Sequence, residues 1–429
     1  MQIAKRQFKR IRTLAPQIKS WVESDEFKEK YANHPYPPLL NPQNIDYESI
    51  PADLAWELNL PLPPYYDLIY FNNGASASLH ILEFFKHCKI TLNPYWIGAS
   101  ELDYYQKYEL DYNLLLKRKN APFNVIALYL NKCEINKYIA LLGKSTPLFY
   151  VARDPISRIK SACNHDAVVE ISPNMKHLSI NDTDFTTLFP KTKYWSKDGE
   201  VSTPQVKTGL FYPLLYPKIC LDSFLAQMPH LGKKYIFSFE SFAPNRAFET
   251  FKQIAKIFNL NMPNDDRLFN TRAEKARFGL GVLPVIVEHS GAKIHISADL
   301  SVCSDSKNEI LTESVIGGGQ KHYFINDTEI IIYADKSSNL TAHKDFEVIK
   351  AYLQNYIKAL ENNVAMTLKS LVSEAQILEV LRDDTQNRKA LKELFDRELR
   401  YLNANHADIV ASWKYYKEFE SMCAELDST

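Results

Sequence analysis

Between residues 67 and 272 the chain alternates short unbroken apolar runs with stretches of helical spacing. Runs at residues 68–71, 125–130, 148–152 and 235–239 lack the polar-apolar alternation of a half-exposed strand, so each needs cover on both faces. A parallel sheet with crossover helices supplies that cover, and the expected fold class is α/β. Residues 247–258 read as one such helix, with Phe248, Phe251, Ile254, Ala255 and Phe258 on its buried face.

The first run leads into Asn72-Asn73-Gly74-Ala75-Ser76, and from Ser78 onward Leu79, Leu82 and Phe85 recur with helical spacing. A strand, a small-residue loop and a helix in succession point several backbone N–H groups at one spot, and the helix start adds partial positive charge. Asn73, Gly74, Ala75, Ser76, Ala77 and Ser78 therefore form a candidate anion-binding loop. Its spacing is not that of a Walker loop, because Gly74 stands alone and no Lys-Ser or Lys-Thr pair follows.

The third run ends in Arg153-Asp154-Pro155-Ile156-Ser157-Arg158-Ile159-Lys160-Ser161. Pro155 suits the first turn of a helix. At about 1.5 Å per residue, Ser161 lies roughly two turns into it, where its hydroxyl and a guanidinium folding back over the helix grip one anion together. A guanidinium forks onto a phosphate through two parallel hydrogen bonds. The alternative reading has Arg153-Asp154 capping the helix and Arg158 in a surface ion pair.

At 429 residues the chain calls for a main domain with appended parts. Lys plus Arg equals Asp plus Glu, at 51 each, so no field of one sign suggests a nucleic-acid partner, and any polyanion site is local. Six scattered cysteines without CxxC pairs argue against a zinc ribbon, leave no metal site to propose, and fit reduced thiols in a cytoplasmic protein. The basic start lacks the apolar core of a signal peptide, and no run of about eighteen apolar residues could span a bilayer. Residues 3–32 have the spacing of an amphipathic helix, its basic side suited to peripheral contact with the inner membrane through residues 3–21, or to solvent if the helix packs on the main domain. The division expected is a helix and an extended Pro-rich arm over 1–64, the α/β domain over 65–277, a β-rich insertion over 278–340 and a helical region over 341–429.

The strand, Arg-Asp-Pro-x-x-Arg-x-x-Ser and helix resemble the 3′-phosphate-binding element of the sulfotransferase superfamily, and the Asn73 to Ser78 turn resembles that family's 5′-phosphosulfate loop. A third landmark, Tyr235-Ile236-Phe237-Ser238-Phe239-Glu240-Ser241-Phe242 followed by Pro244 and a helix ending Ile257-Phe258-Asn259-Leu260, resembles the family's late strand and the helix after it. The resemblance covers roughly residues 65–280. It extends to a group of proteins encoded near bacterial capsule loci, which share the His34-Pro35-Tyr36-Pro37-Pro38 arm and the Gly-Ala-Ser-Ala turn. Two departures stand out. Asn73 replaces the lysine that usually precedes the glycine, leaving charge for the leaving group to Arg158, Lys160 or Lys275, and the family's late phosphate motif is blurred into the segment Lys275 to Gly281.

The resemblance implies a P-loop-like three-layer α/β/α fold that binds a 3′-phosphonucleotide donor through the Asn73 to Ser78 loop, Arg153 and Ser161. The donor is 3′-phosphoadenosine-5′-phosphosulfate or a 3′-phosphocytidine analogue. The implied activity transfers a sulfuryl or phosphoramidate-type group to a hydroxyl of a capsular polysaccharide or its sugar precursor, a carbohydrate acceptor. The acceptor needs a base, for which His165, His80 and Glu101 are candidates by type and position. A non-catalytic glycan-binding protein on the same fold is the alternative, and a nucleotide kinase is disfavoured by the missing Gly-Lys-Ser/Thr.

Overall fold

The computed structural model describes residues 2–90, 104–129, 135–164, 167–196, 199–201, 206, 221–272 and 279–427. In chain order the strands begin with β1 (Leu68–Asn72), β2 (Val125–Tyr129) and β3 (Leu148–Ala152). Four short ones follow: β4 (Ala167–Val169), β5 (His177–Ser179), β6 (Thr192–Ser196) and β7 (Gly199–Val201). Then come β8 (Lys234–Ser238), β9 (Val285–His289), β10 (Ala292–Ser297), β11 (Asn308–Ile310), β12 (Tyr323–Ile325) and β13 (Thr328–Asp335).

The main sheet has the order β2-β1-β3-β8 and is parallel throughout, with Ile69 opposite Ile126 and Leu148, and Tyr150 opposite Ile236. Successive side chains point to opposite faces. Leu68, Tyr70, Phe149 and Val151 pack with Ile81 and Phe84 of the Ser78–His87 helix and Phe251 of the Ala247–Phe258 helix. The Phe84 and Phe251 rings stack with centroids 4.5 Å apart. On the other face, Ile69, Phe71, Leu148 and Tyr150 pack with Tyr108, Ile156 and Phe224 and with Phe395 and Trp413 far along the chain. Helices thus cover both faces, which is why the strand sequences are apolar without a break.

The Ser78–His87 helix turns a different side inward from the one its spacing suggests. Ile81, Phe84 and Phe85 are buried, whereas Leu79 is 39% exposed. Two overlapping apolar stripes share this short helix, and the hand of the preceding loop decides which one meets the sheet.

The Gln2–Val22 helix lays Ile11, Leu14 and Ile18 on the main core, and Trp21 is buried with its indole N–H donating to the Pro38 carbonyl at 2.8 Å. The Pro-rich arm is not wholly extended as expected: Ala52–Glu57 is a helix that starts directly after Pro51. Residues 52–60 hold no proline, so nothing there denies the backbone its helical bonds. Asn59 closes the arm on itself through a 3.0 Å bond to the Pro37 carbonyl. No helix among the described residues is long and apolar enough to cross a membrane.

A second sheet has the order β11-β13-β10-β9-β5, with β12 pairing β13. Its pairings are antiparallel except that β5 joins β9 in parallel. β5 comes from residues 177–179, inside the segment expected to belong to the α/β domain, so this unit draws on more chain than residues 278–340. The Phe346–Ser370 helix packs Ile349, Leu353, Tyr356 and Leu360 against Val285, Val287, Ile294 and Ile332 of this sheet. From Val372 onward the buried residues belong to the main core instead. The helical C-terminal region is therefore divided between two cores, with the change near residue 371. Arg388 pins its far end, clasping Asp427 with two bonds of 2.9 Å and donating to the Leu381 and Arg382 carbonyls at 2.9 and 2.7 Å.

Candidate functional site

β1 sends its connection outward to β2, and β3 sends its own toward β8 on the other side. The carboxyl ends of these two neighbours therefore diverge into a crevice, the place where open parallel sheets bind ligands. Both sequence landmarks meet there.

The loop after β1 is shaped by Asn72, whose side-chain oxygen accepts from the Gly74 N–H at 3.0 Å and the Ser78 hydroxyl at 2.7 Å. Gly74, Ala75 and Ala77 have φ of 55°, 53° and 59°. Left-handed alanines cost on the order of 1–2 kcal/mol each, so the surrounding structure must hold them in place. Left-handed residues interspersed in a turn gather backbone N–H groups into an anion-favouring concavity. Ala77 stands at the N-cap of the Ser78–His87 helix and offers no side-chain cap, so the first-turn amides are left for a ligand.

Arg153 leaves the end of β3 and turns toward this loop, donating from its guanidinium to the Ala75 carbonyl. The guanidinium carbon lies 3.9 Å from the centre of the Phe239 ring, while the Arg153 Nε is buried without a partner among the described residues. Burial draws its pKa down to about 10, so the group stays charged at neutral pH. Arg158, 7% exposed, donates to the Asn73 carbonyl at 2.7 Å. It is not the surface ion pair of the alternative reading. The Asn73 amide is turned inward, donating to the Val151 carbonyl at 3.4 Å, so its side chain is spent on the fold.

The other half of that alternative holds. Asp154 caps the Pro155–Cys163 helix, accepting from Ile156 N at 2.9 Å and Ser157 N at 3.4 Å. Ser161 is half-buried two turns along, and no hydrogen bond joins it to Arg153 among the described residues. It stands between Ser157, which donates to Glu374 at 3.0 Å, and Asn164, which exchanges 3.0 Å bonds with the backbone of Val372. Lys160 also reaches Glu374, at 3.2 Å.

Of the candidate bases, His80 lies against Phe251 with its Nε2 on the Thr271 carbonyl, and burial lowers its pKa. His165, Glu101 and Lys275 lie outside the described residues. Gly279, from the blurred phosphate motif, sits against Asn363 and Val364 of the Phe346–Ser370 helix.

Sequence reasoning missed a carboxylate at the site. An enclosed cavity with room for about one water molecule is lined by Asn73, Arg153, Arg158, Glu398 and Trp413. The Trp413 indole N–H is buried without a partner among the described residues. Burial pushes the Glu398 pKa up to about 7, against the pull of Arg158 and Arg397. The native state thus holds a proton that the unfolded chain loses near pH 4.3, so this group's contribution to stability falls as pH rises from about 4 to 7. Glu398→Gln should lack that fall, ending on the order of 3–4 kcal/mol more stable than wild type at pH 8 and close to it at pH 4. Denaturant melts at the two pH values measure it, and parallel curves would refute a buried titrating carboxyl.

Nothing nearby in sequence marks Glu398 or Glu374, since both reach the crevice only through tertiary packing. Residues 239–426, under half of the chain, match a family model described as a protein of unknown function (DUF2972). No curated protein and no solved structure matches the chain. The matched segment begins at Phe239, beneath the Arg153 guanidinium, and includes Glu374 and Glu398.

Proposed function

We propose that this chain is a sulfotransferase-type enzyme that moves a sulfuryl or phosphoramidate-type group from a 3′-phosphonucleotide to a hydroxyl of a surface polysaccharide or its sugar precursor. The observation that supports it most is the Arg153 guanidinium against the Gly74 to Ala77 loop in the crevice between β1 and β3. In this reading the loop amides and the helix start hold the 5′ end of the donor, and Arg153 fixes the 3′-phosphate. The acceptor oxygen forms a bond to the transferred sulfur or phosphorus as the bond to the 5′-phosphate oxygen breaks, releasing a 3′,5′-bisphosphonucleotide. Charge on the departing phosphate falls to the loop amides and to Arg158, since Asn73 brings none. The acceptor's proton needs a base, and Glu398, with a pKa near neutrality beside Arg153 and Arg158 in a one-water cavity, is suited to take it through a bridging water rather than by direct contact.

A thermal-shift panel tests the reading. Adenosine or cytidine 3′,5′-bisphosphate should raise the melting temperature more than the matching 5′-monophosphate, by an amount equivalent to about 2.7 kcal/mol at a hundred times Kd. Equal shifts would remove the 3′-phosphate site. Glycan binding with no nucleotide response would favour a carbohydrate-binding module instead.

A further inference from the structure

We infer that the seat for a phosphate monoester in this crevice is the cluster Arg153, Ser157 and Lys160, and that the Glu374 carboxylate occupies it as an internal stand-in until the phosphate displaces it. That this phosphate is the nucleotide's 3′ end rests on the transferase reading above. The seat rests on the contacts Glu374 makes with Ser157 and Lys160 and on the buried guanidinium of Arg153.

Ser157 and Lys160 stand three residues apart on the Pro155–Cys163 helix and so share one side of it. A single oxygen of Glu374 accepts from both, at 3.0 Å from the hydroxyl and 3.2 Å from the ammonium, and its side chain is only 13% exposed. One oxyanion oxygen shared between a hydroxyl and a cation is what a phosphate oxygen makes in the same place. The Glu374 charge raises the Arg153 pKa against the effect of burial, yet among the described residues no hydrogen bond joins the two and the Arg153 Nε is buried unpartnered. A carboxylate, with two oxygens in one plane, leaves that donor unspent. A phosphate monoester has three tetrahedral oxygens and about twice the charge, so it can bridge Ser157 and Lys160 to Arg153.

Glu374 can leave without unravelling its helix. The Glu374–Asp383 helix is held at its start by a reciprocal capping box between Ser373 and Gln376, which does not use the Glu374 side chain. The hydroxyl of this seat is then Ser157 rather than Ser161, which lies one turn farther along.

The experiment measures Kd by titration calorimetry for adenosine 3′,5′-bisphosphate, adenosine 5′-monophosphate and inorganic phosphate. It compares wild type with Glu374→Ala, Glu374→Gln, Ser157→Ala and Lys160→Ala. Glu374→Gln keeps the shape and a hydrogen-bond acceptor for Ser157, guarding against misfolding of the alanine variant. Both Glu374 variants should bind the bisphosphate about tenfold tighter, since removing a competing charge is worth about 1.4 kcal/mol or more. Ser157→Ala and Lys160→Ala should each weaken it by about as much. Affinity for the 5′-monophosphate should stay put in the transferase reading. If the Glu374 variants gain nothing while wild type still prefers the bisphosphate, the stand-in is overturned and the transferase reading survives. If they gain affinity for all three ligands with no preference for the bisphosphate, the seat survives and the transferase reading falls. No binding by any protein in the set would overturn both.

Discussion

Arg153→Ala is expected to lose at least about a hundredfold in affinity for a 3′,5′-bisphosphonucleotide, because two charge-assisted bonds from one guanidinium are worth roughly 3 kcal/mol or more together. The unliganded variant should melt within a few degrees of wild type. What the side chain gives the fold is one bond to the Ala75 carbonyl and one face on Phe239, while the strand residues Val151 and Ala152 keep their packing. Arg153→Lys should fall between the two, since lysine keeps the charge but loses both the fork and the stacking plane. Calorimetry with the bisphosphate checks the affinity and a thermal scan without ligand checks the fold. Retained affinity in the alanine variant would remove Arg153 from the site.

The largest loss of stability is expected from the next residue. Asp154 caps two helices at once. One carboxylate oxygen accepts from Ile156 and Ser157 at the start of the Pro155–Cys163 helix, and the other accepts from Tyr415 and Tyr416, at 2.9 and 3.1 Å, at the start of the Lys414–Asp427 helix. Asp154 is 4% exposed, so water does not replace it. Asp154→Ala strands two N–H groups at each of two helix starts and should cost roughly 4 kcal/mol, from about 1 kcal/mol per lost cap plus the unmet buried donors. Asp154→Asn keeps one acceptor oxygen but turns an NH₂ toward the second pair, so about half that loss is expected. Urea unfolding measures both, and a loss under about 1 kcal/mol in the alanine variant would show that the second helix start finds other partners. Because this carboxylate fixes the helix carrying Ser157, Arg158 and Lys160 against the C-terminal helices, its loss should also weaken phosphate binding.

β1, β2 and β3 were legible because burial on both faces leaves little room for polar residues, and β8, half-buried along its length at the sheet edge, because its Tyr-Ile-Phe run is apolar; only strand ends moved, by a residue or two. Within the span expected to be β-rich, the apolar runs at residues 282–287, 294–298, 323–325 and 329–333 mark β9, β10, β12 and β13. β5 (His-Leu-Ser) and β11 (Asn-Glu-Ile) have no such mark, since each is a short, largely polar stretch that pairs only at a sheet edge, whereas the equally short β12 is Tyr-Phe-Ile. The loop after β1 and the arginine after β3 could be read as partners because parallel neighbours bring their carboxyl ends together whatever lies between. Ser161 was read from spacing along a helix, and spacing does not say which side another element will cover. The chain returns 214 residues after Lys160 to lay Glu374 on that side.

The sequence by itself determined the local parts: three buried strands and a half-buried fourth, a small-residue turn suited to anions, and an arginine at a strand end. Tertiary structure alone decided what faces them. Glu374 and Glu398 reach the site, and the Tyr415 and Tyr416 amides reach Asp154, from the C-terminal helices, which apolar residues such as Phe395 and Trp413 anchor in the main core. Burial chooses which helix covers a sheet face, and the polar groups which that helix carries into the site come with it. Their contacts depend on packing over long separations, which no local pattern encodes.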